Sequence, residues 1–280
     1  MTQFAWWIAL PDHDRAMTFD NHPAARILEV HIDPQAGVAA ASQMLEDALA
    51  RAYVIHLTGG GADNSFLTFW ADVGERIARI DLRGENPLTL ERLPAIWNDI
   101  RFDPALATTY RHSNTAQPLH TDGAYNANPP DIGFFFCQAQ AKSGGRTLFL
   151  DGNYLCDTIE RESPGLYADL RSVPVRYSKG EAPGQTVPII GWDNIGPVIN
   201  WNYYRFSPGQ EPAVLRLRQA FFDYLDKRFV QTGDFAPLHL AAGDCMVFHD
   251  LRVVHGREAY EAERAGDRCL WNMNLHWNGG

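Results

Sequence analysis

From about residue 107 onward the chain is a succession of short runs closed by glycine, proline or asparagine: TTYRHS, DIGFFFCQ, RTLFLDG, PVRYS, GPVINWNYY, CMVFHD and RCLWNMNLHW. Runs of this length and spacing are strands rather than helices, and so many of them predict a sandwich or barrel. One amphipathic helix interrupts them, EPAVLRLRQAFFDYLDKRF, with Val214, Leu217, Phe221 and Leu225 on one face. Ahead of this half, Asp33–Pro34 starts the helix PQAGVAAASQMLEDALARA. Phe66, Phe69, Trp70, Val73, Ile77 and Ile80 recur at helical spacing, and YVIHLTG between the two helices reads as a strand. The expectation is one domain over 1–280, mainly β with flanking helices: N-terminal helices and strands over 1–106 and a β core with a helical insert over 107–280. A hydrophobic content of 45% is ample for its core.

The remaining bulk properties mostly exclude. A net charge of -10 argues against a nucleic-acid backbone or an anionic membrane as partner, leaving a small molecule. Cys137, Cys156, Cys245 and Cys269 are widely separated and form no CxxC pair, which excludes a zinc ribbon and a disulfide framework. The early run FAWWIAL is only seven residues long and has no basic residue before it, so neither a spanning helix nor a signal peptide is expected there. A cytoplasmic protein is expected.

The segment PLHTDGAY sets His120 and Asp122 two positions apart. In an extended strand alternate residues share a face, so the imidazole and the carboxylate project together and supply two ligands of the type non-haem iron uses. The motif alone is common. Its best third ligand is His255 in FHDLRVVHGREAY, beside a glycine that allows a close turn, and His249 competes for the same role on spacing alone. The run SGGRTLFLDG puts Thr147, Phe149 and Asp151 on one strand face. In RCLWNMNLHW, Arg268, Leu270, Asn272, Asn274 and His276 alternate with Cys269, Trp271, Met273, Leu275 and Trp277. If the first of these faces points inward, Arg268 requires an anionic partner, and Thr147 can share it.

LHTDGAY, SGGRTLFLDG and HGREAYEAERAGDR together resemble the Fe(II)- and 2-oxoglutarate-dependent oxygenases of the taurine dioxygenase, clavaminate synthase and γ-butyrobetaine hydroxylase superfamily, over roughly 107–277. The resemblance implies a double-stranded β-helix, or jelly-roll, core. It implies iron held by His120, Asp122 and His255, deciding against His249, and the distal carboxylate of 2-oxoglutarate held by Thr147 and Arg268. O2 would be the second co-substrate, with succinate and CO2 released. PPDIGFFFCQAQAKSGGRTLFLDG and DLRVVHGREAY look most like the γ-butyrobetaine and trimethyllysine hydroxylase branch, but the strand LWNMNLHW departs from it and no cysteine–histidine cluster matches that branch's zinc module.

The reaction implied is hydroxylation of an unactivated C–H bond of a small polar metabolite, an amino acid or betaine-like compound. Desaturation or cyclisation would use the same site, and a carboxylate at position 122 disfavours halogenation. Candidate substrate residues are Tyr110, Ser113 and Asn114 before the HxD motif, Tyr125 and Asn126 after it, and Trp201, Tyr203, Tyr204 and Arg205 in NWNYYRF. Arg205 would take a carboxylate and the aromatic residues could cage a quaternary ammonium. Two other classes compete: an oxoglutarate-independent cupin-type metalloenzyme, with no use for Thr147 and Arg268, and a non-catalytic jelly-roll binding module, which needs no triad.

Overall fold

The computed structural model describes residues 17–82, 84–85, 92–179 and 184–277; the early apolar run over 4–10 lies outside them. Two β-sheets with helices form the body. The large sheet runs, in hydrogen-bonding order, Met17–His22, Ala25–His31, Val54–Thr58, Cys245–His249, Ile132–Ala139, Cys269–Trp277 and Ala78–Ile80, with Asn98–Arg101 also paired to Cys269–Trp277. The small sheet runs Ala236–Leu238, Thr147–Asp151, Val253–Arg257, Gln117–His120.

Strand alternation sorts the side chains into layers. Phe134, Phe136, Val247 and Met273 point from the large sheet toward Leu45 of helix Gly37–Leu49 and Trp70 of helix Ser65–Ile77. Their neighbours Phe135, Met246, Phe248 and Leu270 point the other way and meet Phe149 and Val253 of the small sheet in a second cluster. Leu148, Leu150 and Val254 leave the opposite face of the small sheet to pack on Leu155, Leu170 and Phe221 of three further helices. The order is therefore helix, sheet, sheet, helix, and the site lies in the space between the sheets.

Most predicted elements are present, and the differences are local. The first helix begins with a short 3-10 turn at Pro34–Ala36, whose cap is the expected one: Asp33 Oδ1 accepts from Gln35 N at 2.9 Å. The second ends at Ile77, because Ala78 turns extended and Ala78–Ile80 joins the large sheet; Ile80 is a strand residue. TTYRHS is no strand but a series of turns, His112 N donating to Thr109 O. Helix Pro212–Leu225 is not the one helical interruption of the β half, since Gly152–Glu162 and Pro164–Ser172 precede it. Asp151, the last residue of the strand Thr147–Asp151 as expected, also accepts from Asn153 N and caps the first of these helices. The polar face of Cys269–Trp277 is not solvated: Arg268, Asn272 and His276 are buried.

Candidate active site

His120 ends its strand and Asp122 follows it into a loop, while His255 lies mid-strand in Val253–Arg257. Those two strands are hydrogen-bonded neighbours, and His255 and His120 are direct cross-strand partners. Donor atoms of His120, Asp122 and His255 all fall within 4.8 Å of one another. Nε2 of His120 is 3.3 Å from Asp122 Oδ1, and Nε2 of His255 is 3.9 Å from Oδ2. Two imidazole nitrogens and a carboxylate oxygen thus converge on one point.

Gly256 makes this approach possible. A Cβ there would sit 2.8 Å from Gln117 O, and the strand register shifts between His255 and Arg257. Nδ1 of His120 donates to Pro118 O at 2.9 Å, which leaves Nε2 as the nitrogen available to a metal; the Gln117 amide, 3.0 Å from Nε2, would have to give way to one.

The electrostatics match a cation site. Burial disfavours charge on His120, but the Asp122 carboxylate outweighs it and raises the ring's pKa. Burial would also raise Asp122, yet His120, His255 and Lys179 hold it well below the usual carboxylate range. Burial and the nearby His120 charge depress His255 to about 3.

Behind the triad a cavity of about 220 Å³ is lined by Thr147, Arg257, Arg268, Asn272 and Asn274 together with His120, Asp122 and His255.

 
Both guanidinium groups are buried, Arg268 being 2% exposed, and both lie 5.1 Å from the centre of the Tyr260 ring. Nε of Arg257 and Nε and Nη1 of Arg268 have no hydrogen-bond partner, whereas Nη2 of Arg257 donates to Ser113 O and Thr115 O. Burying a cation without an anion is costly, so this pair of guanidiniums is built to receive one. The donor set fits divalent iron, and the guanidiniums fit the far carboxylate of a dicarboxylate.

In front of the triad a second cavity, of about 660 Å³, shares Gln117, His120, Asp122 and Tyr125 with the first. Of the expected substrate residues, Tyr110, Ser113, Tyr125, Tyr203, Tyr204 and Arg205 line it. Asn126 lines the smaller cavity, and Asn114 lines neither. Trp201 is a core residue, fully buried, its Nε1 donating to Leu119 O. Tyr110 and Tyr204 share a 2.8 Å hydrogen bond, and burial together with that bond pushes Tyr110 up to about 12. His249 is remote from the triad in its contacts: its ring packs edge-on against Tyr53 and its Nε2 lies 3.3 Å from Leu49 O.

The family model described as "Taurine catabolism dioxygenase TauD, TfdA family" matches residues 36–273. The chain belongs to the TauD/TfdA dioxygenase family. Members are oxidoreductases that use Fe(II) and 2-oxoglutarate, the cofactor pair this site suits. Dioxygenase str8 of Strobilurus tenacellus is 29% identical over 179 residues, 60% of this chain and 42% of that protein. The gamma-butyrobetaine dioxygenase of Pseudomonas sp. (strain AK-1) is 29% identical over 160 residues, 54% of this chain and 41% of that one. The chain thus spans less than half the length of these curated relatives. PvcB from Pseudomonas aeruginosa shares the fold, with a TM-score of 0.64 at 18% identity over 96% of this chain and 94% of PvcB.

Sequence reasoning missed three residues of this TauD/TfdA-family site. Lys179 and Arg111 line both cavities, and nothing in their local sequence marks them. Asp250, next to the competing His249, reaches the HxD loop. Among the described residues no helix is long and apolar enough to cross a membrane.

Proposed function

We propose that the chain is an Fe(II)- and 2-oxoglutarate-dependent dioxygenase that hydroxylates an unactivated C–H bond of a small polar metabolite, with release of succinate and CO2. The whole chain acts as one oxygenase domain, its paired sheets forming a double-stranded β-helix, and it works in the cytoplasm. The observation that carries this reading is the shared cavity: the triad opens onto the same space as two buried guanidiniums with unpartnered nitrogens.

His120, Asp122 and His255 would hold the iron, and Thr147 and Arg268 would hold the distal carboxylate of 2-oxoglutarate. Bound together, iron and 2-oxoglutarate supply the oxidising power that the side chains lack. The protein's part is positioning. Pro118 O fixes the His120 tautomer, Gly256 lets His255 approach, and the buried guanidiniums orient the co-substrate. The larger cavity holds the target carbon beside the triad.

An amino acid or betaine-like compound fits that cavity's mix of hydroxyls, tyrosines and cations. Arg205 and Lys179 both lie over the Tyr125 ring, at 5.5 and 5.2 Å, and would take a substrate carboxylate.

The test is an anaerobic visible titration of metal-depleted protein with Fe(II) and then 2-oxoglutarate, beside Asp122→Ala. A charge-transfer band in the wild type alone supports the cofactor pair, and succinate release then ranks amino acids and betaines as substrates. Iron uptake without a band overturns the 2-oxoglutarate reading, and turnover supported only by peptides or nucleobases overturns the substrate class.

A further inference from the structure

Asp250 immediately follows the strand Cys245–His249 in the large sheet, yet its side chain serves the small sheet's site. It is 1% exposed. Oδ1 accepts from Asp122 N at 2.9 Å and Oδ2 accepts from Gly123 N at 2.8 Å, so one carboxylate spans two consecutive amides of the HxD loop. The same Oδ1 lies 3.8 Å from Nδ1 of His255. That nitrogen is buried and has no hydrogen-bond partner.

We propose that Asp250 is a positioning residue for the metal centre, setting two of its three ligands at once: Asp122 through the loop backbone and His255 through the ring nitrogen that faces away from the metal. The proposal rests on the triad being a metal centre. It extends that reading, because Asp250 touches neither metal nor substrate and acts only through other residues.

The chemistry calls for a carboxylate in particular. Each of the two adjacent N–H donors meets its own carboxylate oxygen, and an amide side chain in the same place offers one oxygen plus an NH2 group that would face the second donor. The loop is seated closely on this carboxylate: a Cβ at Gly123 would come 3.2 Å from Asp250 Oδ2 and 2.6 Å from Pro129 Cβ. A histidine that binds metal through Nε2 carries its hydrogen on Nδ1, and an anion on that side fixes the ring's tautomer and strengthens the ligand. His120 uses Pro118 O for this purpose. Asp250 Oδ1 offers His255 an electrostatic counterpart at longer range.

The test titrates metal-depleted full chain with Co(II), which takes the same class of site and reports by visible absorption. Wild type, Asp250→Asn and Asp250→Ala are compared, with circular dichroism as the check on folding. Loss of an outer ligand partner weakens metal binding by about 10–100-fold; Asp250→Asn should fall near the lower figure and Asp250→Ala near the upper, each with an altered Co(II) band. Should the alanine variant not fold, the asparagine variant, of nearly the same volume, decides alone. A folded Asp250→Asn that binds Co(II) within about twofold of wild type, with an unchanged band, overturns the assignment whatever its thermal stability. A wild type that takes up no Co(II) overturns the metal-centre reading itself.

Discussion

His120 and His255 are direct cross-strand partners at the edge of the small sheet, their ring centroids 4.3 Å apart. Sheet pairing, not sequence proximity, makes them one site. Phe149, the partner of His255 on its other side, and Phe248, with its ring 4.7 Å from that of His255, wall off the interior of the cluster. The two rings therefore face Asp122 with little freedom to turn away.

This pairing depends on Gly256. Because a Cβ there meets Gln117 O at 2.8 Å and Leu119 N at 3.3 Å, Gly256→Ala must push the strands bearing His255 and His120 apart. The expected cost is about 1–3 kcal/mol of stability, as for other overpacked interiors. Co(II) affinity should fall alongside it. Urea unfolding and metal titration of the same preparation measure both, and wild-type values in each would contradict the close-approach argument.

Asp122→Ala and His249→Ala should separate the ligand from its sequence rival. Removing Asp122 takes away the only anion of the triad and leaves two buried imidazoles, so metal affinity should drop by more than the roughly 100-fold upper limit of outer-residue changes. His249→Ala removes a ring that packs on Tyr53 and should leave metal affinity unchanged while lowering stability. Metal content after dialysis reads both variants, and the reverse pattern would make His249 the ligand.

The thiols give a pH dependence with a definite sign. Burial pushes Cys137 and Cys156 up to about 12 from the ordinary 9.0, and raises Cys245 well above that value. A group whose folded pKa is raised contributes stability that is fully present below its unfolded pKa and is lost as pH climbs toward the folded one. Stability should hold up to about pH 9 and then decline, each thiol contributing at most about 1.4 kcal/mol per pH unit. Urea midpoints at pH 8 and pH 10 test this, and a midpoint that rises across that interval would contradict it. All four cysteines are buried, so none should react with a thiol reagent at pH 8 before unfolding.

Local sequence carried the strands and the HxD pair because both are matters of alternation: Phe134 and Phe136 on one face, Phe135 and Cys137 on the other, and His120 and Asp122 two positions apart. His255 stood out beside its glycine, but only the resemblance decided it against His249, since spacing says nothing about which distant strand pairs with Gln117–His120. Asp250 and Lys179 acquire their roles through space, from elements whose packing no local pattern encodes. The helices Gly152–Glu162 and Pro164–Ser172 did leave signals, Asp151 as a cap and Ser163–Pro164 as a helix start, but an Asp–Gly pair after an apolar run also reads as a turn. In the other direction, TTYRHS has the alternation of a strand and no neighbour to pair with, so it folds into turns that line the larger cavity.

Arg268 and Arg257 differ in what they already hold, and that difference predicts their variants. Arg268 has two buried nitrogens without partners, while Arg257 spends Nη2 on the carbonyls of Ser113 and Thr115. Removing one member of a buried, hydrogen-bonded charge pair costs about 2–5 kcal/mol. Arg268→Ala should therefore raise the 2-oxoglutarate requirement roughly 30-fold or more, a factor of ten corresponding to about 1.4 kcal/mol. It should retain metal, because Arg268 touches no ligand of the triad. Arg257→Met should act differently: its main loss is the anchor on the 113–115 segment, beside the larger cavity, so substrate affinity should weaken more than 2-oxoglutarate affinity. Anaerobic 2-oxoglutarate titrations of the Co(II)-loaded variants, followed by substrate dependence of succinate release, resolve the two effects. An unchanged 2-oxoglutarate requirement in Arg268→Ala, together with a large rise in Arg257→Met, would transfer the anchor to Arg257.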